Sequence, residues 1–506
     1  MHQSRKKLSL YNTITAIGLT LVNGLLGIVV TRLIISRFGS DFNGLNSTAN
    51  QIVNVLLILE GGFTLASNVA LFAPLGQQDY ALVNGILSAT RKKFRLIGIL
   101  FLGVGIIAAG VYTAAVNSGL GKALIASIIL MTVLPQAFNL YYAASYRVLL
   151  QAQQREYIIS SITMLTIGLG HAVNILLITQ GGDMWMVRFI TMVFALSNSL
   201  LIAGWVKRAN PYLDFSAEPR RDLIKGTNDV LTQKITGVIY NAAPIVFLSV
   251  SPVGGTLLAS IYAVYNNVFI MIKSLLHGVI DAPRLGLGQL LSERPREEVW
   301  PVFRLYEYIA FLAVFVLLST ACTLIFPFIK IYTAGVSDIN YCDRTIALLM
   351  VSICTIEMLH IPSGHLINMA GMFRISKRFQ VSACFLLVAA MSVGGSVWGM
   401  YGILTALLLA AILLAFLEMG YVHLYFFQHK IFTLLIMLLP LVVSGITVCA
   451  GEAALSVQIN GYVSFIKYGF LFFALHCCAA VFVAAVFNHK DLISICSIVK
   501  SSINRH

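Results

Sequence analysis

Apolar stretches of about 20 residues recur along the whole chain, separated by short segments in which Lys, Arg, Asn, Gly and Pro concentrate. That length is what an α-helix needs to cross the hydrocarbon core of a bilayer. The pattern predicts helices near 9–36, 42–74, 94–117, 122–153, 155–179 and 183–206, then a polar bridge at 207–223. Further helices follow near 224–250, 254–290, 301–331, 341–370, 374–399 and 400–427, with a last pair at 431–450 and 464–488. The fold class expected is an all-α integral membrane protein with about fourteen transmembrane helices. Its domains are a six-helix lobe over 1–206, a cytoplasmic linker over 207–223, a second six-helix lobe over 224–427, and two additional helices with a cytoplasmic tail over 428–506.

Composition agrees with the pattern. Of 506 residues, 58% are hydrophobic and 11% charged, against roughly 25% charged in soluble domains. The first apolar stretch is too long for a signal-peptide core, so it reads as an uncleaved helix. The formal charge of +14 does not point to nucleic acid, because excess Lys and Arg are what cytoplasmic loops carry. Clusters such as Arg5-Lys6-Lys7, Arg91-Lys92-Lys93, Arg220-Arg221 and Arg374 with Lys377-Arg378 fall on one side of the predicted layout. That asymmetry puts both termini in the cytoplasm.

The halves share a layout. Each has a long second helix interrupted toward its cytoplasmic end, at Glu60-Gly61-Gly62 in the first and at His277-Gly278 with Asp281-Ala282-Pro283 in the second. Two repeats of equal orientation are a transporter design, with the substrate site between them.

Polar residues inside the apolar stretches supply the candidate chemistry. Tyr262, Asn266, Lys273, His277, Asp281 and Arg284 recur at intervals that share one face of the eighth expected helix. Lys273 would sit roughly 28 Å into that helix, toward the cytoplasmic side. Intramembrane charges cost several kcal/mol unless they pair or meet water, so this face should line a cavity or a helix contact. The seventh expected helix adds Asp229 and Lys234, the second Glu60, and the tenth Glu357, His360 and His365 with a kink at Pro362. Arg32 and Arg188 lie near the outer boundary, where snorkelling to headgroups is the default reading. His360 and His365 lack i,i+4 spacing and a third ligand nearby, so no metal is expected. The eight cysteines form no CxxC pair. A phosphate-binding loop, HExxH and GxSxG are absent, so the chain is not expected to be an enzyme.

The segment Ile34-Ile-Ser-Arg-Phe-Gly-Ser-Asp-Phe-Asn-Gly-Leu, followed by Leu57-Ile-Leu-Glu-Gly-Gly-Phe-Thr-Leu-Ala-Ser, resembles the polysaccharide-unit flippases of the Wzx type. These serve O-antigen and exopolysaccharide synthesis. They belong to the multidrug/oligosaccharidyl-lipid/polysaccharide exporter superfamily, with lipid II flippases and multidrug extruders. The resemblance implies a V-shaped bundle of two lobes around a cationic cavity, working by alternating access in the bacterial inner membrane. The cargo would be an oligosaccharide repeat on undecaprenyl pyrophosphate, moved from the cytoplasmic to the periplasmic leaflet. In that setting Lys273, Lys234, Arg284, Arg32, Asn266 and His277 are the expected substrate contacts. Glu60, Asp229, Glu357 and Asp281 are the expected coupling groups for H+ or Na+. No cofactor is implied. The partners would be membrane lipid, a polysaccharide polymerase and a chain-length regulator. The alternatives are a cation-coupled drug exporter, a lipid II flippase and, last, a membrane-bound polysaccharide polymerase.

Overall fold

In a computed structural model, residues 5–60, 62–224, 228–252, 254–281, 283–455, 457–489 and 491–495 are described. Among them every regular element is helical. The helices are α1 (Arg5–Leu56), α2 (Phe63–Gln77), α3 (Tyr80–Ala115), α4 (Lys122–Phe138), α5 (Ala144–Ala152), α6 (Glu156–Thr179), α7 (Met184–Ala209) and α8 (Asn228–Val250). Then come α9 (Gly255–Ile280), α10 (Arg284–Glu293), α11 (Arg296–Tyr332), α12 (Arg344–Leu359), α13 (Ile361–Met369), α14 (Phe373–Gly420), α15 (Phe432–Ala454) and α16 (Tyr462–Phe487).

Eleven described helical segments are long and apolar enough to cross a membrane. Two of these are a pair of helices folded at a glycine. Gly39 (φ 86°) breaks α1, and Gly399 (φ 56°) breaks α14. Positive φ is open to glycine and strained for other residues, so the chain turns there. Counting both folds and the shorter apolar segment Lys234–Val250 gives the fourteen crossings expected. Outward-facing side chains such as Ile107 (65% exposed) and Phe385 (77% exposed) suit lipid, which every backbone group must meet already hydrogen-bonded inside its helix.

Three boundaries differ from the pattern. The basic segment at Arg91-Lys92-Lys93 lies inside α3, which starts at Tyr80 with Asp79 accepting the Leu82 N–H at 3.0 Å. An N-cap of that kind starts a helix wherever it falls, regardless of the bilayer edge. The eighth expected helix is two, α9 and α10, parted at Asp281–Pro283. The tenth is also two, α12 and α13, meeting at His360, with Pro362 in the first turn of α13, where its missing N–H is harmless.

The chain forms two compact units, Met1–Ala263 and Val264–His506. In the first, α1 packs on α6, α6 on α7 and α3 on α4, around a core that includes Phe42, Leu45, Phe94, Phe101 and Tyr146. The segment after α7 lies along α3. Asn84 and Ser88 donate to the Tyr212 and Phe215 carbonyls at 2.8 and 3.2 Å, and the Arg220 N–H donates to the Gly85 carbonyl at 3.1 Å. α8 packs against α1 in this unit. A second knot ties α1 to the start of α9: Asp41 accepts from Ser118, from the Gly119 N–H and from Thr256. Gly44 makes this approach possible, because a Cβ there would lie 1.7 Å from the Thr256 carbonyl oxygen. In the second unit α11 is the central helix, contacting α12, α15 and α16, while α14 covers α12 and α13. Tyr308, Phe311 and Phe315 of α11 pack with Leu434, Met437, Ala480 and Val483, which fixes the last two helices on it.

Candidate functional site

Two of the intramembrane carboxylates, Glu60 and Asp281, lie at the helix interruptions read from the sequence. In the first unit α1 tightens into a 3₁₀ turn at Leu57–Glu60, and α2 restarts at Phe63 after Gly62 (φ 74°). Glu60, at the end of that turn, accepts the Thr64 N–H at 3.0 Å and pairs with Lys234 of α8. Such an interruption frees backbone groups and turns a helix end toward a charge, the arrangement by which membrane proteins hold ions.

In the second unit Lys273 of α9 pairs with Glu357 of α12 at 2.5 Å, with side chains 24% and 13% exposed. Both partners are thus shielded without being sealed. A turn further on, His277 and His365 approach Asp281 at 3.3 and 3.4 Å. Tyr306 donates to the Ile280 carbonyl at 2.9 Å and sits 2.9 Å from His365 Nδ1. Its hydroxyl satisfies a carbonyl left over where α9 ends, as a helix terminus requires.

The two sequence-derived sets therefore interleave. Lys234 and Lys273, expected to meet substrate, are held by Glu60 and Glu357, expected to couple ions. Asp281 joins His277 rather than forming a side-chain pair with Arg284. Asn266 and Arg284 are half-buried on α9 and α10, and Arg32 is half-buried on α1. The side chain of Asp229 lies outside the described residues. Arg188 does not reach for headgroups: it is buried and donates to Asn50 and Thr132 at 3.1 and 2.5 Å.

Several pairings escaped the sequence reading. Glu307 and His423 meet at 2.8 Å with both side chains fully buried, and Ser363 donates to Glu307 at 3.1 Å. His360 meets Glu418 at 2.8 Å, in space left because Gly364 has no side chain; a Cβ there would lie 2.6 Å from Glu418 Oε2. In the first unit, Arg147 donates to Asn198 at 2.5 Å at the edge of a cavity of about 530 Å³. Asn23, Gln136, Asn174 and Thr191 are among its other lining residues. The second unit has a cavity of about 450 Å³ walled mainly by Phe, Leu, Val and Ile of α11, α12 and α15. The available signal was a lone polar residue in an apolar run, repeated too often to single these out.

No protein-family model and no curated relative matches the chain. Solved structures do. The inward closed lipid II flippase MurJ superposes with a TM-score of 0.68 at 12% identity, over 95% of this chain and 100% of that one. An inward-facing multidrug resistance MATE family transporter of the MOP superfamily gives 0.63 at 16% identity, over 80% and 93%. A MOP superfamily transporter from Pyrococcus furiosus, described as having a binding pocket of reverse polarity, gives 0.56 at 16% identity, over 82% and 94%. The chain has the multi-pass fold of these MOP-superfamily transporters.

Proposed function

We propose that the chain is a flippase that carries an undecaprenyl-pyrophosphate-linked oligosaccharide from the cytoplasmic to the periplasmic leaflet of a bacterial inner membrane. The observation that carries this reading is the Lys273–Glu357 pair. A lysine held inside the bilayer by one carboxylate is stable at rest and can exchange that carboxylate for a pyrophosphate. The displaced Glu357 would then take a proton or Na+, which couples the cargo to an ion gradient. Lys234 and Glu60 offer the same exchange in the first unit. Amides, hydroxyls and Arg147 around the polar cavity are the groups that hydrogen-bond sugars, and the apolar cavity suits a lipid chain. The sequence resemblance at 34–45 and 57–67 favours a surface-polysaccharide unit as cargo.

The test is deletion of the gene with surface polysaccharide and undecaprenyl-linked intermediates read together. Surface polymer should be lost, with intermediates trapped on the cytoplasmic face. Intact polymer with changed sensitivity to cationic drugs would replace the proposal with a drug exporter. A lipid II flippase is the second reading, favoured by the full-length superposition on MurJ. It predicts that deletion is lethal and that cytoplasmic lipid II accumulates.

A further inference from the structure

The second unit contains a polar cluster to which the transport reading gives no role, although its Cys449 also lines the apolar cavity. Where α11, α15 and α16 pack together, Cys449 and Glu452 of α15 meet His476 of α16, with one donor atom from each within 4.8 Å of the others. Cys449 and Glu452 are three residues apart, so they share a helix face. Glu452 is 5% exposed and His476 fully buried.

A carboxylate and an imidazole buried in membrane helices cost several kcal/mol unless their polar atoms are satisfied. Here neither ring nitrogen of His476 makes a well-formed hydrogen bond, nor does Glu452 Oε1. His476 Nε2 stands 3.4 Å from Glu452 Oε2. That is long for a charge-assisted hydrogen bond of about 2.8 Å. It matches the edge of a tetrahedron, about 1.6 times the bond length, for zinc bonds of about 2.1 Å.

We propose that Cys449, Glu452 and His476 bind a zinc ion that fastens α15 and α16 to each other beside α11. One thiolate, one carboxylate and one neutral imidazole just balance the divalent charge, so the ion adds no net charge to a low-dielectric interior. Binding takes the proton from the Cys449 thiol and releases it to water. Thr323 of α11 donates to Glu452 Oε2 at 2.6 Å, holding the carboxylate in orientation as partners of metal ligands do. Its hydroxyl also lies 3.7 Å from Cys449 Sγ. A fourth position taken by a neutral ligand, such as water, keeps the charge balance. The donor set of sulfur, nitrogen and one oxygen favours zinc over calcium or magnesium, which take oxygen alone.

The full-length chain, purified in detergent without chelator, is to be measured for zinc by elemental analysis. Its melting temperature is then followed after removing and restoring zinc. About one zinc per chain is expected, removed by chelator dialysis and restored with a rise of several degrees in melting temperature. Cys449→Ser and His476→Ala should hold less than about a tenth of that zinc, and their melts should ignore it. Cobalt loaded into the unaltered chain should give a thiolate-to-metal charge-transfer band, a readout that requires no variant to fold. A zinc-free chain whose melt ignores zinc and which shows no cobalt band overturns the site. So does Cys449→Ser retaining the full zinc content.

Discussion

At the scale of single residues, Lys234 and Lys273 are each coupled to a glutamate from another helix. Lys273→Ala would strand Glu357, and breaking a buried pair costs up to about 3–5 kcal/mol. The quarter exposure of the lysine places the expected loss at the lower end. Melting in detergent should drop for Lys273→Ala and recover substantially in Lys273→Glu with Glu357→Lys, which restores the pair reversed. A double variant no more stable than Lys273→Ala would mean the pair does not hold α9 to α12. Transport separates the two roles: the reversed pair should stay inactive because the cation has moved to the other helix. These couples also mark the limit of sequence reading. Lys273, Glu357, Lys234 and Glu60 stand out singly, since each is costly in an apolar run. Lys234 and Glu60 are 174 positions apart, and no periodicity relates residues on different helices.

At the scale of elements, glycines divide into those that admit a neighbour and those that do not. In the fold of α14 a Cβ on Gly402 would lie 1.9 Å from the Gly394 carbonyl oxygen, whereas a Cβ on Gly103 of α3 meets nothing within 4 Å. Gly402→Ala should therefore force the two limbs of α14 apart and lower the melting temperature by several degrees. Gly103→Ala should leave it unchanged or raise it, because alanine is favoured over glycine in a helix interior by about 1 kcal/mol. The helix count and both glycine folds were legible, because each separates two apolar runs of spanning length. The start of α3 was not, since a helix capped at Asp79 ahead of its apolar run leaves no gap in hydropathy. The interruption after Glu60 was legible from glycine chemistry. Of the one read at His277-Gly278 with Asp281-Ala282-Pro283, only the later part breaks the helix: α9 runs helical through His277-Gly278 to Ile280, and α10 begins at Arg284. What the interruptions deliver to each other was not legible.

At the scale of the whole molecule, the basic segments predict orientation. A C-terminal fluorescent protein that matures only in the cytoplasm should be bright, and alkaline phosphatase at the same point should be inactive. The opposite pair of results would invert the layout, and with it the direction in which cargo is carried. The fourteen crossings add only that the two termini share a side, because an even number returns the chain to the side it left; the basic segments alone predict which side.

The Lys273–Glu357 couple also has an electrical meaning. A lone charge moved across a bilayer holding 100 mV gains or loses about 2.3 kcal/mol, enough to bias a rocking domain strongly. A lysine and a carboxylate 2.5 Å apart travel together as a dipole, and the field does almost no work on them. In the proposed flippase, an empty return step with this couple intact should therefore be indifferent to voltage. A doubly charged pyrophosphate on that lysine, with Glu357 neutralised, would leave one net negative charge for the field to act on.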